Sequence, residues 1–175
     1  AALQGSDVPG GFAIPLSAGM RRIIEVLRRG EEVEYGFLGI SLQEQLGQEG
    51  LVAVDNVYPG SPAQFAKLLP GDLILDIDGV PIKDSDELFL NLGLHLAGSK
   101  IKIQVRRGGR QLTLEPTLAK YYVAGKSIAS KPGARPLVRG LRVDYSSLLV
   151  QQPPRWTRVP PGVLITEITP KSAAA

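Results

Sequence analysis

Two glycines stand close together in the stretch YGFLGISL, at positions 36 and 39, among large apolar residues. Glycine is selected where the backbone turns through positive φ or approaches another group closely. Three kinds of structure fit this spacing: a plain turn, a cradle for phosphate, or a set of backbone amides that binds a carboxylate. Consecutive N–H groups that point at one spot bind anions through charge-assisted hydrogen bonds. The stretch therefore predicts either a turn or an anion site.

Other residues that could do chemistry are few. The sequence has no cysteine, which excludes thiol nucleophiles, disulfides and thiolate zinc sites. The single histidine, His95, falls near the end of a predicted helix, and we interpret it as a partly exposed helix residue rather than a general base. Gly125-Lys126-Ser127 is similar to the end of a phosphate loop, but Lys120 stands where that loop needs its first glycine. We predict no catalytic residue, metal site or cofactor in this chain.

Positive charge is concentrated in one segment, although the net charge is only +3. Residues 119–143 carry six basic residues and no acidic one. We interpret residues 121–136 as a solvated basic linker and expect no nucleic-acid partner, because only Tyr121 and Tyr122 offer aromatic platforms there. A phosphate-binding stripe stays open as an alternative, and its affinity would fall steeply with salt. No apolar run approaches the roughly 18 residues of a membrane span, so none is predicted.

Short strands and two helices are expected to position the glycine pair. With 20 glycines and 14 prolines, the composition favours many strands and turns over a helical bundle. Asp78-Gly79 and Gly108-Gly109 are explicit turn signals. The predicted fold is mainly β with α (α+β), a five- to six-stranded, partly open barrel with two helices. The predicted strands are Leu38–Leu42, Leu51–Val57, Leu73–Asp78, Lys100–Arg106 and Gln111–Leu118, and the helices are Ser61–Leu69 and Asp84–Leu96.

The first thirty residues form a separate pattern. GGFAIPL, residues 10–16, predicts a short strand, and Ser17 then caps a helix that ends at Gly30. The strand has no evident partner, and the chain opens without a start methionine, so we expect a domain upstream of it. The apolar positions of the helix follow a 3.6-residue period, at Met20, Ile23, Ile24 and Leu27.

A partial repeat occupies the end of the chain. DNVYPGSPA, residues 55–63, returns as TEITPKSAA, residues 166–174. The intervening QQPPRWTRVPP predicts a loop insertion from which Trp156 packs back. A dedicated binding role for Trp156 stays open. In the second copy, we place Arg142 where the first copy has the glycine of its turn.

These segments together resemble the junction of the HtrA/Deg family of trypsin-like serine proteases, where a protease domain is followed by PDZ peptide-binding domains. The resemblance rests on GGFAIPL with its helix, on YGFLGISL, on YPGSPAQFAKLLPGDLILDIDGVPIKDSDEL, and on RGLRVDY with GVLITEITPKSAAA. It implies a PDZ-like fold, with domain boundaries as follows: the end of a protease domain at 1–31, a first PDZ domain at 32–120, the linker at 121–136, and the front of a second PDZ-like domain at 137–175.

The resemblance also implies a peptide site. Phe37-Leu38-Gly39-Ile40 matches the X-Φ-Gly-Φ motif whose amides hold a terminal carboxylate, and the peptide adds as a strand beside Ile40–Gln43. An apolar last residue is expected to enter a pocket floored by Leu38 and Ile40, and Asp86 is expected to read the residue two positions earlier. The expected peptide-binding residues are Phe37, Leu38, Gly39, Ile40, Ser41, Leu42, Asp86, Phe89 and Leu92, with Gly93 as a further position.

Two departures from the family pattern bear on this site. Members often have Arg or Lys just ahead of the loop, whereas this chain has Tyr35 beside Glu34 and close to Glu32. Negative charge there is expected to lower carboxylate affinity by about 1 kcal/mol at most, which leaves weak binding or binding of internal segments open. In the second copy, Arg142 adopts positive φ only at a cost, so we assign no carboxylate site to that copy.

The function implied is recognition of C-terminal or unfolded peptide segments, which tethers or regulates proteolysis by an HtrA-like serine endopeptidase. The resemblance implies that the catalytic triad of such a parent is to be expected ahead of Ala1, and that the parent is a homo-oligomer in the bacterial periplasm or cell envelope. A non-catalytic PDZ scaffold stays open as the alternative.

Overall fold

The chain was described with a computed structural model, which covers residues 14–43, 51–123, 137–151, 159 and 162–173. Within these ranges there are four helices: α1 (Ala18–Arg28), α2 (Pro62–Phe65), α3 (Ser85–Gly93) and α4 (Leu148–Gln151). The strands in the same ranges are β1 (Gly36–Phe37), β2 (Ile40–Leu42), β3 (Val52–Val57), β4 (Leu73–Ile77), β5 (Val80–Pro81), β6 (Ile103–Arg107), β7 (Arg110–Leu114), β8 (Ala119–Lys120), β9 (Leu141–Tyr145) and β10 (Val163–Ile168).

The largest sheet is antiparallel and open. Its strands lie in the order β2-β3-β4-β6-β7, with β5 paired to β4, and β2 forms one edge. A second pair, β1 with β8, joins the beginning and end of the module. The predicted fold class, mainly β with two helices in a partly open PDZ-like barrel, is confirmed, since the sheet does not close.

The core lies between this sheet and the helices α2 and α3. Alternation along β6 turns Ile103 and Val105 inward, and a bulge in β4 lets Ile74 and Ile77 both face the core. Leu88 of α3 is fully buried against them. Each such side chain contributes about 1.5–3 kcal/mol, so this core is what holds α3 beside the sheet.

Turns and caps follow the predicted signals. Gly108 and Gly109 have φ of +54° and +78°, the conformation of a two-residue hairpin turn between β6 and β7. The side chain of Ser17 accepts a hydrogen bond from the N–H of Met20 at 3.2 Å, so the predicted N-cap of α1 is confirmed. Gly30 follows the helix with φ of +72°.

The helices and strands are shorter than predicted. Helix α2 ends at Phe65 rather than Leu69, because Lys67 turns the chain with φ of +65°. Helix α3 ends at Gly93 rather than Leu96. β7 ends at Leu114 rather than Leu118, because Pro116 lacks the N–H that a continuous ladder requires. The predicted ends of these elements were therefore wrong by three to four residues.

The repeated unit at the end of the chain contains β9 and β10, paired antiparallel with a bulge near Ile165. The linker, the loop with Trp156 and most of the predicted strand at 10–16 lie outside the described residues; residues 14–16 of it are not in a strand. No helix in the described part of the chain is long and apolar enough to cross a bilayer.

Candidate functional site

Strand β2 lies at the edge of the sheet with its outer side open among the described residues. Ile40 lies opposite Val57, and Leu42 lies opposite Val54. The bonds to β3 come from the flanking residues, since the N–H of Tyr58 donates to Gly39 O at 2.9 Å and that of Gln43 donates to Ala53 O at 3.1 Å. In such non-hydrogen-bonded pairs, the residues' own N–H and C=O groups point away from the partner strand. The polar backbone of Ile40 and Leu42 therefore faces the open edge.

The turn before β2 is held in place by the start of α2. Gly39 has φ of +87°, and a Cβ added to it would overlap the Cβ of Ser61. Ser61 is fully buried, and its hydroxyl donates to Gly39 O at 3.3 Å. The N–H of Ala63 donates to Leu38 O at 2.9 Å. Both carbonyls of the turn are thus directed toward α2, which leaves the N–H groups on its other side.

Within the described residues, three successive N–H groups have no acceptor. Those of Leu38 and Gly39 have no partner among the hydrogen bonds of the described residues, and that of Ile40 faces the open edge. N–H groups arranged in this way provide an anion site when their ligand arrives from outside. Of the structures that the glycine spacing predicts, the geometry favours a set of amides over a plain turn.

A cavity of about 650 Å³ lies beside this turn. Six of the nine residues expected at the site line it, together with Gly93. Three do not: the hydroxyl of Ser41 donates to Asp55 at 3.1 Å, Leu42 packs against the core, and Asp86 is exposed in the first turn of α3. The expected residues that line the cavity are Phe37, Leu38, Gly39, Ile40, Phe89 and Leu92.

Helix α3 provides one wall because of its residue spacing. Leu88 and Leu92, four residues apart, are buried on its inner face. Phe89 is 57% exposed and lines the cavity, with Gly93 one turn further on. A ring that is exposed at the mouth of an apolar cavity gains contacts when a ligand covers it.

Sequence reasoning missed the aromatic and C-terminal side of the cavity. Phe37 stacks on Tyr58 with ring centroids 6.4 Å apart and lies 6.3 Å from the ring of Tyr121. Tyr121 had been assigned to the linker, but the pairing of β8 with β1 brings it here. The apolar run Tyr121-Tyr122-Val123 was the available signal. The residues missed are Tyr35, Gly36, Tyr58, Tyr121, Tyr122, Val123, Val150 and Gln151.

The acidic residue ahead of the turn is paired. Lys120 Nζ lies 3.0 Å from a carboxylate oxygen of Glu34 and 3.8 Å from one of Asp144. Burial opposes protonation of Lys120, but the hydrogen bond and charge of Glu34, with the charges of Asp144 and Glu32, outweigh it and raise the pKa of Lys120. The repulsion expected from Glu34 toward a bound carboxylate is therefore offset by the ammonium group of Lys120.

The turn of the second copy is built on Gly140, so the prediction that Arg142 replaces its glycine was wrong. Gly140 has the same φ as Gly39, +87°, and an added Cβ would overlap Ser172 as one at Gly39 would overlap Ser61. Arg142 lies in β9 and pairs with Glu167 at 2.7 Å.

This second turn is closed on itself. The N–H of Leu141 donates to Val138 O at 3.0 Å, and the N–H of Val138 donates back to Leu141 O at 2.9 Å. One of the amides equivalent to those of the first turn is therefore used internally. The absence of carboxylate binding at this turn stays a prediction. The closed turn supports it, because the N–H of Leu141 already has an acceptor.

The ring of His95 is held in place by contacts with a backbone carbonyl and an aspartate. Its ring nitrogens contact Asn91 O at 2.9 Å and a carboxylate oxygen of Asp78 at 3.2 Å, while its carbonyl accepts from the N–H of Gly36 at 2.8 Å. These bonds hold the end of α3 against β1. Among the described residues, no group of three or more His, Cys, Asp or Glu side chains is arranged to hold a metal ion.

Comparison with known proteins identifies the module. Residues 36–118 match the PDZ domain family. A probable periplasmic serine endoprotease, DegP-like, from Hahella chejuensis is 27% identical over 93% of this chain and 37% of the relative. The serine endoprotease DegS of Escherichia coli is 29% identical over 63% of this chain and 34% of its own length. The chain thus spans about a third of the length of these relatives.

A solved structure leads to the same assignment. The HtrA-type protease AlgW with a tripeptide superposes with a TM-score of 0.51 at 26% identity, covering 60% of this chain and 38% of that one. These matches are to proteases and give no support to a non-catalytic scaffold. Residues 36–118 therefore match the PDZ domain family, with homology to the DegP, DegS and HtrA serine proteases.

Proposed function

We propose that this PDZ domain binds the C-terminal end of a peptide or unfolded protein segment as an additional antiparallel strand on β2. The observation that carries the proposal is the row of N–H groups at Leu38, Gly39 and Ile40, which have no acceptor within the described part of the protein, beside an open sheet edge. Hydrogen bonds to a carboxylate are roughly twice as strong as neutral ones. A terminal carboxylate satisfies all three donors at once.

The cavity sets the side-chain preference in this proposal. A bound strand alternates its side chains, so the last residue enters the cavity over Leu38 and Ile40 while the preceding one points away. Phe89 and Leu92 supply the facing apolar surface. We therefore expect an apolar last residue. Asp86 is exposed at the start of α3, and its proposed contact is with the residue two positions from the peptide's end.

The wider role follows from the relatives. We infer that the parent protein is a serine endopeptidase in the bacterial periplasm or envelope, that residues 1–31 end its protease domain, and that the PDZ domain tethers or regulates substrates of a homo-oligomer. Support comes from the names of the relatives, which include periplasmic serine endoproteases. Helix α1 also leaves Ile24 and Leu27 exposed, as a helix that packs on another domain would.

The decisive measurement compares a pair of peptides that differ only in the terminal carboxylate and its amide. Loss of charged hydrogen bonds is expected to cost about 1.5–3 kcal/mol, so amidation should weaken binding to the full chain by roughly tenfold to a hundredfold. Calorimetric titration at two salt concentrations measures it. Equal affinity for both peptides at either salt concentration would refute the carboxylate site.

Phe89→Ala is expected to weaken peptide binding without affecting stability. The ring is 57% exposed in the free protein, so unfolding free energy should change by less than about 0.5 kcal/mol. Peptide affinity should fall by about fivefold to thirtyfold, as a ring that the ligand would cover is lost. Leu90→Ala is the matched control, because Leu90 is 72% exposed on the same helix and does not line the cavity. Equal losses in both variants would place the peptide elsewhere.

A further inference from the structure

The cavity beside the glycine turn is lined by two parts of the chain that are distant in sequence. One part is the PDZ domain itself. The other is α4, which belongs to the second repeated unit and contributes Val150 and Gln151. Val150 is 5% exposed, so its side chain is packed against other residues. The volume available at this site therefore depends on a helix outside the matched PDZ residues.

Gln151 fixes α4 to the end of the PDZ domain. Its side-chain oxygen accepts from the N–H of Tyr122 at 2.8 Å, and its side-chain nitrogen donates to Lys120 O at 3.0 Å. The amide thus bonds to the backbone on either side of Tyr121, as a neighbouring strand would. The same nitrogen donates to Ser147 O at 3.3 Å within the second unit. One side chain therefore links the first turn of α4 to the segment that follows β8.

A second contact supports the same placement. Lys120 Nζ lies 3.0 Å from Glu34, ahead of the glycine turn, and 3.8 Å from Asp144 in β9 of the second unit. The ammonium group therefore bridges carboxylates of the two units. Because Tyr121 also contacts Phe37 of the turn, α4 is connected to the anion site through a short series of direct contacts.

We propose that α4 is a wall of the peptide site, with Val150 as a specificity-determining residue for the terminal side chain and Gln151 as the residue that positions the wall. The inference rests on the proposed function and deepens it. The ligand class is a peptide with an apolar C-terminal residue, whose permitted size is set jointly by the first unit and by α4. The second unit, whose own turn is closed, thereby takes part in recognition at the first.

The test measures affinities of the full chain for peptides that differ only in the last residue: Ala, Val, Leu or Phe. Val150→Ala enlarges the cavity and is expected to raise the ratio of Phe to Val affinity by about fivefold. Val150→Ile fills the cavity and should lower that ratio by a similar factor. Leu149→Ala is the matched control, because Leu149 is in the same helix but does not line the cavity. Its ratio should stay within about twofold of the unmodified chain.

Gln151→Ala tests the positioning role. Without the side-chain amide, α4 is no longer fixed to Lys120 and Tyr122, so discrimination between Val and Phe ends should shrink toward unity. A residue needed only for stability would lower all affinities equally and leave the ratio unchanged. Hydrogen exchange at the N–H of Tyr122, which loses its acceptor, should accelerate in the same variant.

The outcomes separate the two proposals. Binding of the four peptides by the unmodified chain, with ratios unchanged in both Val150 variants, would overturn the role of α4 and leave the proposed function standing. Failure of the unmodified chain to bind any of them would overturn both. Circular dichroism of each variant verifies folding, and the opposite directions expected for Val150→Ala and Val150→Ile distinguish a cavity effect from general destabilisation.

Discussion

Gly39→Ala is expected to abolish detectable peptide binding and to lower the unfolding free energy by about 2–5 kcal/mol. Positive φ for a non-glycine residue costs about 1–3 kcal/mol, and Gly39 has φ of +87°. The added Cβ would also overlap Ser61, which is buried and held by bonds to both the turn and α2. Relief requires moving the turn, and with it the N–H groups of the proposed carboxylate site. Chemical denaturation and calorimetric titration measure the two effects.

Gly79→Ala is the matched control for this substitution. Gly79 has φ of +78°, but a Cβ there would meet nothing within 4 Å. The control therefore carries the backbone strain without the clash, and it lies in the turn after β4, outside the cavity. We expect it to lose about 1–2 kcal/mol and to bind peptide normally. If both variants lost the same stability and kept their affinity, the contact between Gly39 and Ser61 would not determine the geometry of the site.

Arg107→Met is expected to be strongly destabilising, by about 3–5 kcal/mol. Arg107 donates two hydrogen bonds of 2.6 Å to Asp72 and one of 2.8 Å to Lys67 O. The Asp72 side chain is fully buried and also accepts from the N–H of Leu69 at 2.9 Å. Removal of the guanidinium leaves a buried carboxylate without its countercharge, the costly way to break such a pair. Urea unfolding of the full chain measures the loss.

The double variant Arg107→Met with Asp72→Asn separates the effect of the buried charge from the effect of lost packing. It removes the stranded carboxylate and keeps an oxygen that can accept from Leu69, so much of the lost stability should return. Arg110→Met is the control for removing an arginine, because Arg110 is exposed at the start of β7, and it should change stability by less than about 0.5 kcal/mol. A double variant no more stable than Arg107→Met would show that lost packing, rather than buried charge, dominates.

Local signals were enough to predict the elements of the PDZ domain but not their ends. Asp78-Gly79 and Gly108-Gly109 predicted the turns at those positions, and the strand predicted over Lys100–Arg106 overlaps β6. The end of α2 depends on Lys67 at positive φ, a conformation that lysine does not signal. The carbonyl of Lys67 also accepts a long-range hydrogen bond from Arg107, a contact that no local pattern predicts.

The candidate site shows the same difference between local signals, which were predicted, and long-range contacts, which were not. The X-Φ-Gly-Φ stretch is local, and the cavity includes all four of its residues. The walls from Tyr121 and α4 depend on pairings between segments far apart in sequence, such as Gly36 with Lys120, and were missed. The glycine of the second unit was also misplaced by two residues, at Arg142 instead of Gly140. The peptide-binding roles of all nine expected residues stay predictions, both for the six that line the cavity and for Ser41, Leu42 and Asp86, which do not.

The brevity of β2 has a consequence for solubility. An exposed strand border can recruit a second molecule of the same protein and begin aggregation. Here the strand spans only three residues, and the hydroxyl of Ser41 is already engaged by Asp55. A second copy of the protein would therefore gain few hydrogen bonds from β2, whereas in the proposed function a partner with a terminal carboxylate gains further bonds from the turn. The short length of β2 therefore disfavours self-association through this edge and still leaves the edge open to a ligand.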